Sequence, residues 1–212
     1  LWFSVNGVGL SLSRDLGLSE ADLGRLTLTV QAGFIVGTLT LAATGLADRF
    51  RASRIFAISC LLGALTNAGF VIAAPHPPLD LLLRFATGLC LAGIYPLGMK
   101  LVIGWTPRHT GAALAWLVGM LTLGTALPHL LRGSTLGLPW EWPLLGASAL
   151  ALAGGALILA LGDGPHLPPS SGKARLLDGL AALRERRFRA VAGGYFGHCW
   201  ELYALWTLTP FL

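Results

Sequence analysis

His198 and Glu201 stand three residues apart in an apolar run near the end of the chain, with Trp200, Tyr203 and Trp206 around them. On a helix that spacing puts both side chains on one face. In hydrocarbon an ionisable side chain costs about 2.5–3.5 kcal/mol on insertion scales, so one that persists in mid-span reads as functional. Out of water, a carboxyl beside an imidazole can trade a proton as the surroundings change, because burial disfavours the charged form of each. Two readings stay open: a proton-coupling or substrate-contacting pair, or a hydrogen bond to a neighbouring helix. Zinc is a poor third reading, since His-x-x-Glu leaves the ligand set incomplete; no metal or other cofactor is expected.

Arg84 is a second charge within apolar sequence. Roughly 8 Å into its run at about 1.5 Å per residue, it either reaches back to the outer surface or meets an anion or proton partner in a cavity. Asn6, Gln31 and Asn67 are polar groups in apolar surroundings that line a cavity or bridge helices. Between residues 45 and 54 runs a polar decapeptide, GLADRFRASR, in which Asp48 stands among Arg49, Arg51 and Arg54. Cys60, Cys90 and Cys199 are far apart, each inside an apolar run, and read as small buried residues rather than ligands or disulfide partners.

The elements that must position these groups follow from composition. Of 212 residues, 54% are hydrophobic and 12% charged, with a mean hydropathy of +0.69. Soluble domains carry about 25% charged residues. Here the apolar residues fall in runs of roughly twenty, the length that crosses a hydrocarbon core of about 30 Å. The pattern predicts an all-α, multi-pass protein whose first partner is the lipid bilayer. A net charge of +5 does not imply nucleic acid, because the bases sit in alternate loops and form no continuous patch.

Residues 1–12 read as the outer end of a first span, and residues 14–22 as a polar turn in which Ser19 or Asp22 caps the next helix. Further spans are expected at residues 23–44, 55–74, 79–104, 111–131 and 142–161, with a seventh starting at 190. Glu201 then lies roughly 18 Å deep and His198 about 14 Å, at about 1.5 Å per residue. Gly33 and Gly37 have the spacing that permits close helix contact. Lys100 is expected to snorkel, and Trp2, Trp105, Trp140 and Trp142, near span ends, to act as interfacial anchors.

Loop charge alternates. The loops after spans two, four (with Lys100) and six carry surpluses of two, two and three bases; those after spans one, three and five carry one acid, one acid and no surplus. Short basic loops stay in the cytoplasm, which puts the N-terminus inside. The expected organisation is a first bundle over residues 1–162, a cytoplasmic linker over 163–189 and a seventh span over 190–212 that starts a second bundle. The linker holds a Pro/Ser-rich stretch and an amphipathic helix with Leu176, Leu177, Leu180 and Leu183 at helical spacing. The chain opens in one span and stops in another, so it is read as a piece of a longer protein.

The decapeptide resembles the signature between helices two and three of the major facilitator superfamily, roughly G-x-L-a-D-R-x-G-R-K. Leu46, Ala47, Asp48 and Arg49 match its heart; Thr44 takes the first glycine's place with Gly45 adjacent, and Arg51 the second's. The basic pair falls on Ala52 and Ser53, with Arg54 one step later. Arg84-Phe85-Ala86-Thr87-Gly88 is similar to the R-x-x-x-G of helix four, and the long basic linker to the family's bridge between halves. The Gly-Pro of drug/proton antiporters is absent from helix five, although Gly119 and Gly124 are present.

The resemblance implies a twelve-helix protein in two halves, built from inverted repeats around a central cavity. It casts Leu46, Ala47, Asp48, Arg49, Arg51 and Arg54 as a cytoplasmic gating motif, with Asp48 and Arg49 as a latch between the halves. The expected function is secondary active transport of a small solute by alternating access, as symport or antiport, in a bacterial-type cytoplasmic (plasma or inner) membrane. Protons or another ion are candidate coupling partners, and the remaining half of the protein is the structural one. An integral-membrane enzyme using His198 and Glu201 is an alternative class, disfavoured because no nucleophile, second acid or metal cluster accompanies them. A non-transporting scaffold or receptor is the other.

Overall fold

A chain in hydrocarbon must satisfy its own backbone hydrogen bonds, and a helix does so within one segment. The computed structural model describes residues 1–74, 76, 78–134, 139–167 and 181–208, and among these it is helical throughout, without strands. In chain order the helices are α1 (Ser4–Gly7), α2 (Gly9–Leu16), α3 (Glu20–Thr44), α4 (Leu46–Arg49) and α5 (Ala52–Ala73). They continue as α6 (Leu79–Ala92), α7 (Tyr95–Trp105), α8 (Thr110–Ser134), α9 (Glu141–Leu161) and α10 (Arg186–Leu208). Among the described residues four stretches are long and apolar enough to cross a membrane: Glu20–Thr44, Ala52–Ala73, Leu79–Trp105 and Glu141–Leu161.

The bundle is apolar on the outside. Leu28 is 69% exposed, Ile72 80% and Leu82 62%, while Asn67, Arg84 and Thr87 are fully buried. A soluble protein would have the reverse arrangement; this one expects lipid. Among the described residues two apolar clusters hold the helices together. One gathers Val8, Leu12, Leu26, Phe70, Trp140 and Leu144. The other, at the opposite end, gathers Ala52, Leu97 and Leu101 against Ala47, Ile158 and Leu167.

Between spans two and four the contact is backbone on backbone. A methyl group on Gly33 would collide with the Phe85 carbonyl and the Cα of Gly88, and one on Gly37 with Leu89 and Ala92. The close approach that the Gly33/Gly37 spacing permits is therefore present, and its target is α6. At the N-terminus of α3 both capping candidates act together. Ser19 Oγ accepts from the Asp22 N–H at 3.2 Å, and Asp22 Oδ2 accepts from the Ser19 N–H at 3.0 Å.

Three spans differ from the sequence expectation. Span one breaks at Val8 (φ −113°, ψ 9°), where Gly7 and Gly9, poor helix formers, flank it. Span four is two helices rather than one, interrupted at Gly93 and Ile94. Pro96 has no N–H to return to the Ala92 carbonyl, and Gly93 lies so close to Ser59 that a side chain there would overlap it. The last helix starts at Arg186 rather than 190, so Arg186, Arg187 and Arg189 form its first turn. Ahead of it Ala182–Arg184 make a single 3-10 turn. Pro168, Pro169, Ser170 and Ser171 of the Pro/Ser-rich stretch and Leu176, Leu177 and Leu180 lie outside the described residues, and Leu183 falls within that 3-10 turn.

Candidate functional site

The packing of α3, α7, α8 and α10 around the residues ahead of α1 leaves a cavity of about 890 Å³, within the range typical of small-molecule sites, about 300–1,000 Å³. Thr27, Gln31 and Phe34 reach it from one face of α3, at spacings of four and three. Tyr95 enters from the start of α7, freed by the break in span four, and Tyr195, His198 and Tyr203 from α10. Trp2 is the centre of the wall. Its ring lies 4.6 Å from that of Phe34, 6.3 Å from Phe3 and 5.9 Å from Tyr203. The last contact ties the two ends of the described chain together.

Of the residues proposed from sequence, Gln31 and His198 line this cavity. Glu201 does not. Three residues advance a helix by about 300°, so His198 and Glu201 differ by about 60° in direction; both side chains are exposed. Among the described residues no group of three His, Cys, Asp or Glu side chains gathers as a metal site.

Arg84, Asn67 and Asn6 form the layer behind. Arg84 is fully buried rather than snorkelling to the surface. Its Nη2 donates to the Trp2 carbonyl at 2.8 Å and its Nη1 to Asn67 Oδ1 at 3.2 Å, with Phe70 beneath the guanidinium at 6.0 Å. It makes no ion pair among the described residues. Asp80, a turn earlier on α6, accepts from the Leu81 N–H at 2.6 Å. Asn67 is a hub rather than a cavity wall. It accepts from Ser4 Oγ at 2.8 Å and donates to the Leu144 carbonyl at 3.1 Å and to Ser148 Oγ at 3.0 Å. Asn6 likewise bridges helices, donating to Thr27 Oγ1 at 3.0 Å.

At the basic end, the decapeptide folds as a left-handed turn followed by α4. Gly45 has φ 61° and ψ 23°, so the residue free to adopt that backbone is here one place later than in the family signature. Arg51 has φ −60° and ψ 126°, an extended conformation that any residue adopts, which explains why the second glycine is dispensable. Lys100 does not snorkel to water alone: its ammonium donates to Asp48 Oδ1 at 2.8 Å and to the Ala47 carbonyl at 2.7 Å. Leu46 and Ala47 are half-buried, whereas Arg49 and Arg54 are exposed.

Sequence reasoning missed the partner of Arg51. Asp163, just past α9, accepts from the Ser53 N–H at 2.7 Å and lies 3.8 Å from Arg51 Nε. It caps α5 from a distant point in the chain. Partial burial works against its charge, yet the Ser53 hydrogen bonds and the Arg51 charge prevail and hold the carboxyl below its usual value of 3.8. The same segment continues the staple, with the Trp105 indole donating to the Gly162 carbonyl at 3.3 Å and the His166 N–H to the Gly104 carbonyl at 3.1 Å. Trp2 and Trp140 also correct the interfacial-anchor reading: one lines the cavity and the other is buried in the core.

A lipid-facing helical bundle with a solute-sized cavity and a charged turn joining spans two and three has the architecture of a membrane transporter. The chain belongs to the Major Facilitator Superfamily, whose family model matches residues 1–212. It is 32% identical over 130 residues to a niacin transporter of Acinetobacter baylyi, an alignment covering 56% of this chain and 29% of the relative. It is 30% identical over 220 residues to monocarboxylate transporter 11 of Mus musculus, covering 92% of this chain and 48% of the relative. The chain thus spans less than half the length of either relative. No solved structure matches.

Proposed function

We propose that the chain contributes to a secondary transporter that moves a small solute by alternating access, with the cavity around Trp2, Gln31 and Tyr203 as part of the solute path. The carrying observation is that residues ahead of α1 and residues of α10 share one cavity of about 890 Å³. A motion of the second bundle that carries α10 away from Trp2 opens or closes that space. His198 and Glu201 serve proton coupling in this reading, His198 at the wall and Glu201 turned toward the second bundle. Arg84 holds the wall from behind. The basic end faces the cytoplasm of the plasma or inner membrane, and Asp48, with Arg49, latches it.

The test is uptake by the full-length protein in proteoliposomes under an imposed pH gradient. Niacin and monocarboxylates, for which the two relatives are named, head the solute panel. Gradient-driven uptake that Glu201→Gln abolishes supports the reading. Uptake by the variant equal to that of the parent contradicts the coupling role, and no uptake by the parent of any solute contradicts the transport role.

A further inference from the structure

Resting on the transport reading above, we infer that the cavity takes a planar aromatic acid: a flat ring carrying one carboxylate, as opposed to a short aliphatic acid or an amine. Two features of the wall point there. First, it is aromatic on several sides. Trp2, Phe3, Phe34, Tyr95, Tyr195 and Tyr203 all line it, and the rings about Trp2 keep centroid distances of 4.6–6.3 Å, the range in which flat rings pack offset or edge to face. A saturated chain fills such a space but leaves the ring faces without a matching partner.

Second, two unpartnered buried atoms of the wall are donors. Trp2 Nε1 and Gln31 Nε2 are buried without a hydrogen-bond partner, and both residues line the cavity. An indole N–H can only donate. A buried donor left unpaired is costly, and a carboxylate, with two oxygens and a charge that strengthens each hydrogen bond, can satisfy both at once. The other polar neighbour on α3, Thr27, already donates to the Leu23 carbonyl at 3.0 Å and accepts from Asn6. Among the described residues no Asp, Glu, Lys or Arg lines the cavity, so none of them repels an anion there. Behind it Arg84, bonded to the Trp2 carbonyl and without an ion pair among the described residues, supplies a positive field, offset in part by Asp80 on the same helix. Such fields act over long distances where water is excluded.

The experiment measures benzoate binding to the full-length protein in detergent by tryptophan fluorescence and thermal shift, beside cyclohexanecarboxylate, lactate and benzylamine. Benzoate is expected to bind at least tenfold more tightly than the other three. Gln31→Glu, which replaces the donor with a like charge in the same shape, is expected to lower benzoate affinity at least tenfold, and Trp2→Phe, which keeps a ring and removes the N–H, to lower it several-fold. Cyclohexanecarboxylate or lactate binding as tightly as benzoate overturns the aromatic assignment, and benzylamine binding more tightly overturns the acid. Uptake of a non-aromatic solute by protein that does not bind benzoate overturns this inference and leaves the transport reading intact. Benzoate binding without uptake of any solute upholds the site and overturns the transport reading.

Discussion

Asn67 shows how a single side chain holds a membrane bundle together. Its amide connects Ser4, Arg84, the Leu144 carbonyl and Ser148, so α1, α5, α6 and α9 meet at one residue. Interhelical hydrogen bonds in membranes average about 0.6 kcal/mol each and seldom exceed about 1.7, but stranding the buried Arg84 adds a desolvation penalty of about 1–3 kcal/mol. Asn67→Leu should therefore destabilise the protein by about 3 kcal/mol, read as a lower denaturation midpoint in detergent. A change under about 0.5 kcal/mol would mean that the hub is not formed. The sequence marked Asn67 and Arg84 as polar groups in hydrocarbon because the cost of burial demands partners. It did not reveal the partners, which are side chains and carbonyls on other spans. Trp2 was misread for a related reason: position along a run reports depth in the bilayer, and says nothing of whether a ring faces lipid or the bundle.

At the scale of elements, the segment after α9 staples the basic end. Asp163 caps α5, a role worth about 1 kcal/mol for a helix N-cap, and its side chain remains 23% exposed. Asp163→Ala should cost about that much at pH 7. The sign follows from the lowered carboxyl: its contribution is fully present above the ordinary value of 3.8 and disappears as pH falls through the lower folded value. Thermal unfolding of parent and variant should therefore begin to converge as pH drops past 3.8 and coincide only below the lowered folded value, and a gap with no pH dependence across that range would show that charge is not involved. The Lys100–Asp48 pair differs, with side chains 32% and 43% exposed. Exposed pairs contribute about 0–1 kcal/mol, so little of the stability of the fold rests on this one. Asp48→Asn should slow transport with little loss of solute affinity or of melting temperature; a purely affinity-based defect would contradict the latch. The helices themselves were legible from run length and from the Ser19/Asp22 cap. The breaks at Val8 and Gly93 were not, because each depends on small residues whose effect is decided by the neighbour they meet. Asp163 escaped notice because its partner is 110 residues away.

For the whole molecule, apolar runs of about twenty residues and a low share of charge were enough to place the chain among multi-pass membrane proteins, and the residues around Asp48 were enough to suggest the family that the comparison then matched over residues 1–212. The cavity was not readable from sequence, since it is assembled from five separate stretches and lined by rings that look the same as lipid anchors. Alternating access makes its own demand: one cavity position must open to each side of the membrane in turn. In the full-length protein with its native cysteines, Cys60, Cys90 and Cys199 among them, replaced by serine, Gln31→Cys can be labelled with a membrane-impermeant thiol reagent from either face of right-side-out and inverted vesicles. Modification from both faces, slowed from both by the transported solute, is the predicted result. Modification from one face alone under every condition, or from neither, would contradict it.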